Sequence, residues 1–307
     1  MSDWHVDVLG PEFEARPLPQ PDDAVATLVR HVASTTAPAD RPAVLYVHGY
    51  ADYFFHPHVA EAFAERGYPF YAVDLRTYGR SLREGDDPNF VPDIAVHARD
   101  LDAAVDAIRA EGHERVVVLA HSMGGLVSAL WAHTRPGRIE ALVLNSPFLD
   151  LNEPWFHRVV TTRLMYAIAP VAPRVPLGRM GGAYGLALHQ QWNYDLSWKP
   201  TSGFPVRAAW FHSLRRAQAR AARGLDIRCP VLVCASDRST SGKYTHDELL
   251  TTDSVLSVRH ILDGAPRLGP SVDIEVIHGG AHDLALSPSP AREKYLSTTL
   301  DWLDAHV

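Results

Sequence analysis

The chain has 307 residues, 46% of them apolar, and a formal net charge of −7. The apolar content supports a large folded core and excludes a disordered chain, and the negative charge excludes a global field that attracts nucleic acid. There is no run of eighteen apolar residues, so no membrane span is expected.

Two early segments, residues 4–9 and 25–32, are predicted to be strands of a meander at one edge of a sheet. Apolar, β-branched runs then predict six buried strands, at residues 43–47, 70–74, 115–120, 141–145, 231–235 and 272–277. Segments with helical spacing separate them, at residues 58–66, 92–111, 123–134 and 254–267. Strands alternating with helices predict an α/β fold, with a mostly parallel eight-stranded sheet and helices on both faces.

This alternation breaks between residues 148 and 226, where no buried strand is evident. The stretch is rich in aromatic residues: Trp155, Phe156, Trp192, Tyr194, Trp198, Phe204, Trp210 and Phe211. We predict that residues 1–147 and 227–307 form the core and that residues 148–226 form an inserted lid, with a helix at about 206–224. Large aromatic side chains also fill ordinary cores, so composition alone does not assign the lid a role in binding.

Ser122 is the candidate nucleophile. It follows an apolar strand, precedes a helical pattern and is flanked by the small residues Ala120 and Gly124. A serine in this context lies on a tight turn that exposes its hydroxyl. Most such motifs have a glycine at the position of Ala120, and the alternative is a buried serine without chemistry.

A serine needs a base, and His282 is the candidate because it lies in the loop after the last predicted strand. The acid should precede this histidine, and Asp237 and Asp253 compete for the role. One helix and one strand with short loops require roughly 25–32 residues between acid and histidine. Asp253 lies 29 residues before His282 and Asp237 lies 45 before it, so the spacing favours Asp253. Asp253 could instead be an ordinary helix cap.

Two backbone N–H groups are the candidate oxyanion donors. Met123 follows the serine at a helix N-terminus, where negative charge is stabilised. Tyr50 follows Gly49 in the loop after the first central strand. We expect His48 in this loop to be structural.

The motifs together resemble the α/β-hydrolase superfamily, and within it the lysophospholipase and monoacylglycerol lipase group, which is also classed with the serine aminopeptidases. The matching pieces are His48-Gly49, Asp74-Leu-Arg-x-x-Gly-Arg-Ser81, His121-Ser122-Met123-Gly124-Gly125, Asn145-Ser-Pro and Gly280-Ala-His282-Asp. The resemblance covers residues 43–145 well and residues 230–307 moderately. It implies a serine hydrolase whose substrate preference depends on the lid.

The leading hypothesis is therefore a serine ester hydrolase with a Ser122–His282–Asp253 triad, an acyl-enzyme and a small-molecule ester substrate with an apolar acyl chain. An amidase or peptidase with the same triad is an alternative, and so is a non-catalytic ligand-binding protein. The seventeen histidines have no convincing metal-ligand spacing, and no metal or cofactor is expected. Cys229 and Cys234 lie too far apart along one predicted strand for a disulfide, which suits the cytoplasm. The oligomeric state stays open.

Overall fold

The computed structural model describes residues 3–21, 23–36, 40–152, 162–163, 166, 168–180, 182–240 and 244–307, so the predicted lid residues Trp155 and Phe156 lie outside the described part. A nine-stranded sheet with the order β1-β2-β3-β5-β4-β6-β7-β10-β11 dominates it. Its strands are β1 His5–Asp7, β2 Gly10–Pro19, β3 Val25–His31, β4 Ala43–Val47, β5 Phe70–Asp74, β6 Val116–His121, β7 Ala141–Asn145, β10 Val231–Ser236 and β11 Val272–Ile277. A separate antiparallel pair is formed by β8 Pro176–Arg179 and β9 Pro205–Arg207.

The six strands from β5 to β11 in the sheet are parallel, and β1, β2 and β3 add an antiparallel meander at the β5 edge. The mostly parallel α/β fold is thus confirmed. The predicted number of eight strands was one too few for this part of the chain, because β2 was missed. Strand β2 contains three prolines, Pro11, Pro17 and Pro19. Proline normally argues against a strand, so the sequence of β2 does not resemble one.

Eight α-helices are described: α1 Pro57–Glu65, α2 His97–Ala110, α3 Ser122–Thr134, α4 Ala183–Gln191, α5 Ala208–Ala222, α6 His246–Thr251, α7 Val258–Gly264 and α8 Ala291–His306. Five of them, α1, α2, α3, α5 and α7, lie within or overlap the predicted helices. The segment 254–267 was predicted as one helix, but α7 begins at Val258 and a 3-10 turn follows it at Ala265–Arg267. Helices α4, α6 and α8 were not predicted.

The helices cover both faces of the sheet. Side chains alternate along β6: Val118 joins the core on one face, whereas Val117 and Leu119 join the core on the other. Helices α2, α3 and α5 contribute to the first core. Helices α1 and α8 contribute to the second. Burial on both faces explains why the central strands are continuously apolar.

The chain between β7 and β10 leaves the sheet and returns to it. Its helix α5 lies at residues 208–222, within the predicted segment, and buries Trp210 and Leu214 in the sheet's first core. The antiparallel pair of β8 and β9 was not predicted, because β8 is short and exposed. The boundaries of the core and the lid, at 147 and 227, stay a prediction. None of the helices in the described ranges is long and apolar enough to cross a membrane.

Candidate active site

Ser122 lies at the turn between β6 and α3. Its backbone φ is +52°, a left-handed conformation that is uncommon for a residue with a side chain. Such a conformation costs about 1–3 kcal/mol and persists only where the surroundings enforce it. The turn thus holds the Ser122 hydroxyl at the carboxyl edge of the sheet, as the sequence motif predicts.

The glycines after Ser122 allow helix α3 to approach the neighbouring loops. A Cβ on Gly124 would lie 2.3 Å from the backbone oxygen of His48 and 2.7 Å from that of Val47. A Cβ on Gly125 would lie 3.0 Å from Cβ of Pro147. The small residues of the motif therefore bring the nucleophile against the end of β4.

We expect Gly124→Ala to destabilise the protein by about 3 kcal/mol, because the added methyl group meets backbone atoms that cannot move independently. Activity should fall at least tenfold, since α3 must shift away from the β4 loop. Urea unfolding and ester hydrolysis measure the two effects. Gly125→Ala is the matched control and should cost less, because its contact is longer. Equal costs for the two variants would contradict the packing argument.

His282 lies in the loop after β11, and its side chain contacts both Ser122 and Asp253. Its Nε2 is 3.1 Å from Oγ of Ser122, and its Nδ1 is 3.0 Å from Oδ1 of Asp253. The Asp253 side chain is fully buried, and its Oδ1 also accepts hydrogen bonds from the N–H groups of Val255 and Leu256. The structure therefore brings the three predicted residues into one hydrogen-bonded chain.

Asp237, the competing acid, lies elsewhere. Its Oδ1 accepts a hydrogen bond from the N–H of Gly279 at 3.0 Å, and its Oδ2 lies 3.5 Å from Nδ1 of the exposed His278. A backbone bridge between Ser239 and Asp253 shows that the chain leaves the end of β10 and returns to it. This excursion brings Asp253 to the site that Asp237 does not reach.

The two predicted oxyanion donors lie beside Ser122. Met123 is the second residue of α3, where helical N–H groups have no partner within the helix. The loop of Tyr50 packs closely on the nucleophile, since a Cβ on Gly49 would lie 3.2 Å from Cβ of Ser122. The Tyr50 ring lies against Trp210, with centroids 4.3 Å apart. Nε2 of His48 accepts the N–H of Leu75, in keeping with the expected structural role.

A buried polar cluster behind the site was missed by the sequence interpretation. Asp283 follows His282, and its two oxygens contact Nε2 of His56 at 3.1 Å and Nδ2 of Asn145 at 2.8 Å. Burial alone raises the pKa of Asp283, but His121, His56 and Asn145 hold it well below its usual range. Burial lowers the pKa of His121, the residue before Ser122, to about 4. Asn145 and Asp283 belong to the family-like motifs Asn145-Ser-Pro and Gly280-Ala-His282-Asp. Their presence in these motifs was the sequence signal that could have indicated the cluster.

Asp52, His121 and Asp283 form one group in the described part of the chain with the closeness of metal ligands, since their ligand atoms lie within 4.8 Å of one another. Both carboxylates already have partners. Asp52 contacts Nζ of Lys199 at 2.7 Å, and Asp283 contacts His56 and Asn145. Because these side chains already bind the carboxylate oxygens, the group does not require a metal ion.

Ser122 and His282 line a cleft. Its apolar lining comes mainly from the chain between β7 and β10 and from the loops before α7 and α8: Phe148, Met180, Leu188, Val255, Leu256 and Leu286. Trp192 and Trp210 do not line this cleft. Trp192 donates its Nε1–H to the backbone oxygen of Leu286, and Trp210 is buried in the core. For these two residues, packing explains the aromatic composition better than substrate binding does.

Comparison with known proteins identifies the family of this chain. Residues 38–287 match a family described as serine aminopeptidase, S33. A monoacylglycerol lipase of Mycolicibacterium smegmatis is 31% identical over 151 residues, which are 45% of this chain and 48% of that protein. The 1-acylglycerol-3-phosphate O-acyltransferase ABHD5 of Sus scrofa is 30% identical over 142 residues, which are 44% of this chain and 40% of that protein. The chain thus matches less than half the length of these curated relatives.

Solved structures show the same fold at lower identity. A monoacylglycerol lipase of Paleococcus ferrophilus has a TM-score of 0.65 at 19% identity and covers 87% of this chain and 96% of that chain. A soluble variant of the monoglyceride lipase of Saccharomyces cerevisiae has a TM-score of 0.66 at 16% identity, and covers 94% and 93%. These two structures support the α/β-hydrolase architecture.

Proposed function

Because this chain belongs to the serine aminopeptidase S33 family of α/β-hydrolases, and within it resembles the monoacylglycerol lipase group, we propose that it hydrolyses carboxylic esters. The observation that carries the proposal is the chain of contacts from Oγ of Ser122 through His282 to Asp253. A hydroxyl, an imidazole and a carboxylate in this order are the parts of a serine nucleophile with its base and its orienting acid.

In the proposed reaction, Nε2 of His282 accepts the hydroxyl proton while Oγ of Ser122 attacks the ester carbonyl. The tetrahedral intermediate collapses when His282 gives this proton to the leaving alkoxide, and an acyl-enzyme remains. Water then attacks the acyl group, with His282 again as the base, and the acid and free Ser122 are released. Asp253 holds the proton on Nδ1, which keeps Nε2 free to act as the base.

The oxyanion is assigned to the N–H groups of Tyr50 and Met123. Tyr50 belongs to the loop after β4, whose Gly49 packs on Ser122, and Met123 belongs to the first turn of α3, which supports this assignment. Fixed donors at this position stabilise the charge that develops on the carbonyl oxygen.

For the substrate, we propose a small ester with an apolar acyl group. The apolar lining of the cleft supports this class, as does the monoacylglycerol lipase among the relatives. Residues 148–226, which contribute part of the lining, are the proposed lid. The unpaired Cys229 and Cys234 support a reducing compartment, the cytoplasm.

Amide or peptide hydrolysis is the second candidate, because the family's description is that of a serine aminopeptidase. The same triad cleaves both kinds of bond, so the fold does not separate them. A non-catalytic binding protein would need none of the contacts at Ser122.

One experiment distinguishes the three. We expect a fluorophosphonate probe to label the purified protein at Ser122. We also expect p-nitrophenyl esters and monoacylglycerols of rising chain length to be hydrolysed at least a hundredfold faster, in kcat/KM, than aminoacyl p-nitroanilides. Faster cleavage of the anilides would favour the peptidase. Absence of both labelling and turnover would favour the binding protein.

A further inference from the structure

An ion pair joins the proposed lid to the loop of the oxyanion donor. Lys199 lies between α4 and β9, and its Nζ is 2.7 Å from Oδ1 of Asp52. The side chains are only 15% and 3% exposed, respectively. Because they are withdrawn from water, loss of one partner leaves the other charge buried and uncompensated.

The second oxygen of Asp52 acts on the backbone of the same loop. Its Oδ2 accepts the N–H of Gly49 at 3.2 Å. Gly49 precedes Tyr50, and its Cα faces His121 and Ser122 so closely that an added Cβ would lie 3.1 Å and 3.2 Å from their side chains. Asp52 therefore connects the ammonium group of Lys199 to the stretch of backbone that carries the N–H of Tyr50.

We propose that Lys199 is a positioning residue, which holds the Gly49–Tyr50 backbone against Ser122 through Asp52 and so makes the oxyanion donor depend on the docked lid. This inference rests on the proposed ester hydrolysis. Lys199 need not contact the reacting atoms to act in this way.

The charge balance supports this arrangement. Burial raises the pKa of Asp52, but Lys199, followed by the nearby histidines, outweighs it and brings the pKa down to about 2. The ammonium group also lies 5.3 Å from the ring centre of Phe55 and 5.7 Å from that of Tyr194, distances at which cations and aromatic rings attract. Lys199 is thus held by both chain segments.

Other contacts beside the ion pair join the same two parts of the chain, the loop after β4 and the segment of the proposed lid between α4 and β9. The Tyr53 hydroxyl accepts the N–H of Asp195 at 2.8 Å, and the ring of Trp198 meets that of Tyr53 edge-on at 5.2 Å. These contacts do not involve Asp52. They allow the lid to stay docked when the ion pair is removed, which makes a specific effect on the oxyanion loop measurable.

The test compares Lys199→Met, Lys199→Arg and the control Arg207→Met. Arg207 also joins the lid to the core, through Asp87 at 2.9 Å, but this pair does not reach Gly49. The substrate is p-nitrophenyl acetate, whose short acyl group does not need the apolar cleft. We measure kcat, KM, Tm and the Ki of a short alkyl trifluoromethyl ketone, which forms a tetrahedral oxyanion on the serine.

We expect Lys199→Met to lower kcat tenfold to a hundredfold at nearly unchanged KM, somewhat less than the roughly 10²–10³ lost when an oxyanion donor is removed. The Ki of the ketone should rise by the same factor. Lys199→Arg should recover most of the rate, and Arg207→Met should keep it. If Lys199→Met does not fold, Asp52→Asn provides the same comparison and should also lower kcat at constant KM.

A Lys199→Met variant with the same kcat and Ki as the wild-type protein would overturn the inference. The proposed function would still stand in that case, because the wild-type protein itself hydrolyses the ester. Equal losses in Lys199→Met and Arg207→Met would also overturn it, because they would indicate general loosening of the lid. A wild-type protein that neither hydrolyses esters nor reacts with fluorophosphonate would refute the proposed function, and the inference with it.

Discussion

Ser122→Ala is expected to lower kcat for ester hydrolysis by about 10³ to 10⁶-fold and to leave the fold intact. The hydroxyl acts with His282 and Asp253 as a unit, so its loss removes the advantage of the whole triad and leaves only binding and oxyanion stabilisation. Alanine has the same backbone requirement as serine at φ +52°, so little change in Tm is expected. Steady-state kinetics and thermal unfolding check the two parts.

Ser146→Ala is the matched control. Ser146 is also a buried serine after a strand of the sheet, also has a positive φ, of 46°, and its hydroxyl has no hydrogen-bond partner among the described residues. We expect this variant to keep most of the activity. Unchanged turnover in Ser122→Ala would refute the assignment of the nucleophile, whatever the control does.

Asp253→Asn should lower kcat by about 10⁴-fold, whereas Asp237→Asn should change it little. An asparagine can still occupy the space, but it no longer favours the tautomer that leaves Nε2 of His282 unprotonated, and it does not stabilise the imidazolium that forms in the reaction. Asp237 binds the backbone of Gly279 instead, so its loss should cost about 1 kcal/mol of stability. Kinetics together with urea unfolding separate these effects.

The two aspartates are a natural comparison, because each contacts a histidine of the loop after β11. Asp253 contacts His282, and Asp237 contacts His278. If Asp237→Asn were the inactive variant, the proposed triad would be wrong. If Asp253→Asn lost only stability, Asp253 would be a structural cap.

Much of the fold was predictable from the sequence, because the central strands bury both faces and are therefore continuously apolar. Ser122 follows such a strand, β6, whereas His282 follows the edge strand β11, which was predicted as buried but is largely exposed and contains Asp273 and Glu275. The spacing to His282 favoured the aspartate that the structure brings to it. Helix α8 was missed because its buried side chains, which include Tyr295 and Leu303, are mixed with many polar residues.

The polar contacts behind the site were beyond sequence reasoning for a different physical reason. Asp52 and Lys199 are 147 residues apart, and Asp283 and Asn145 are 138 apart. Helical or strand periodicity reports which face of an element is buried, not which distant side chains meet there. The order of the strands in the sheet brings Asn145 and Asp283 together, and the packing of the chain between β7 and β10 on the β4 loop brings Lys199 to Asp52.

The position of His282 has a consequence for how the protein acquires activity during its synthesis. Its partner Ser122 lies 160 residues earlier in the chain, and β11, which leads into the loop of His282, pairs only with β10 in the described sheet. A ribosome therefore completes the central strands and the serine turn well before the base emerges. Until β11 docks, Ser122 lacks its base. No folding intermediate in which β11 is still undocked is therefore expected to be catalytically competent.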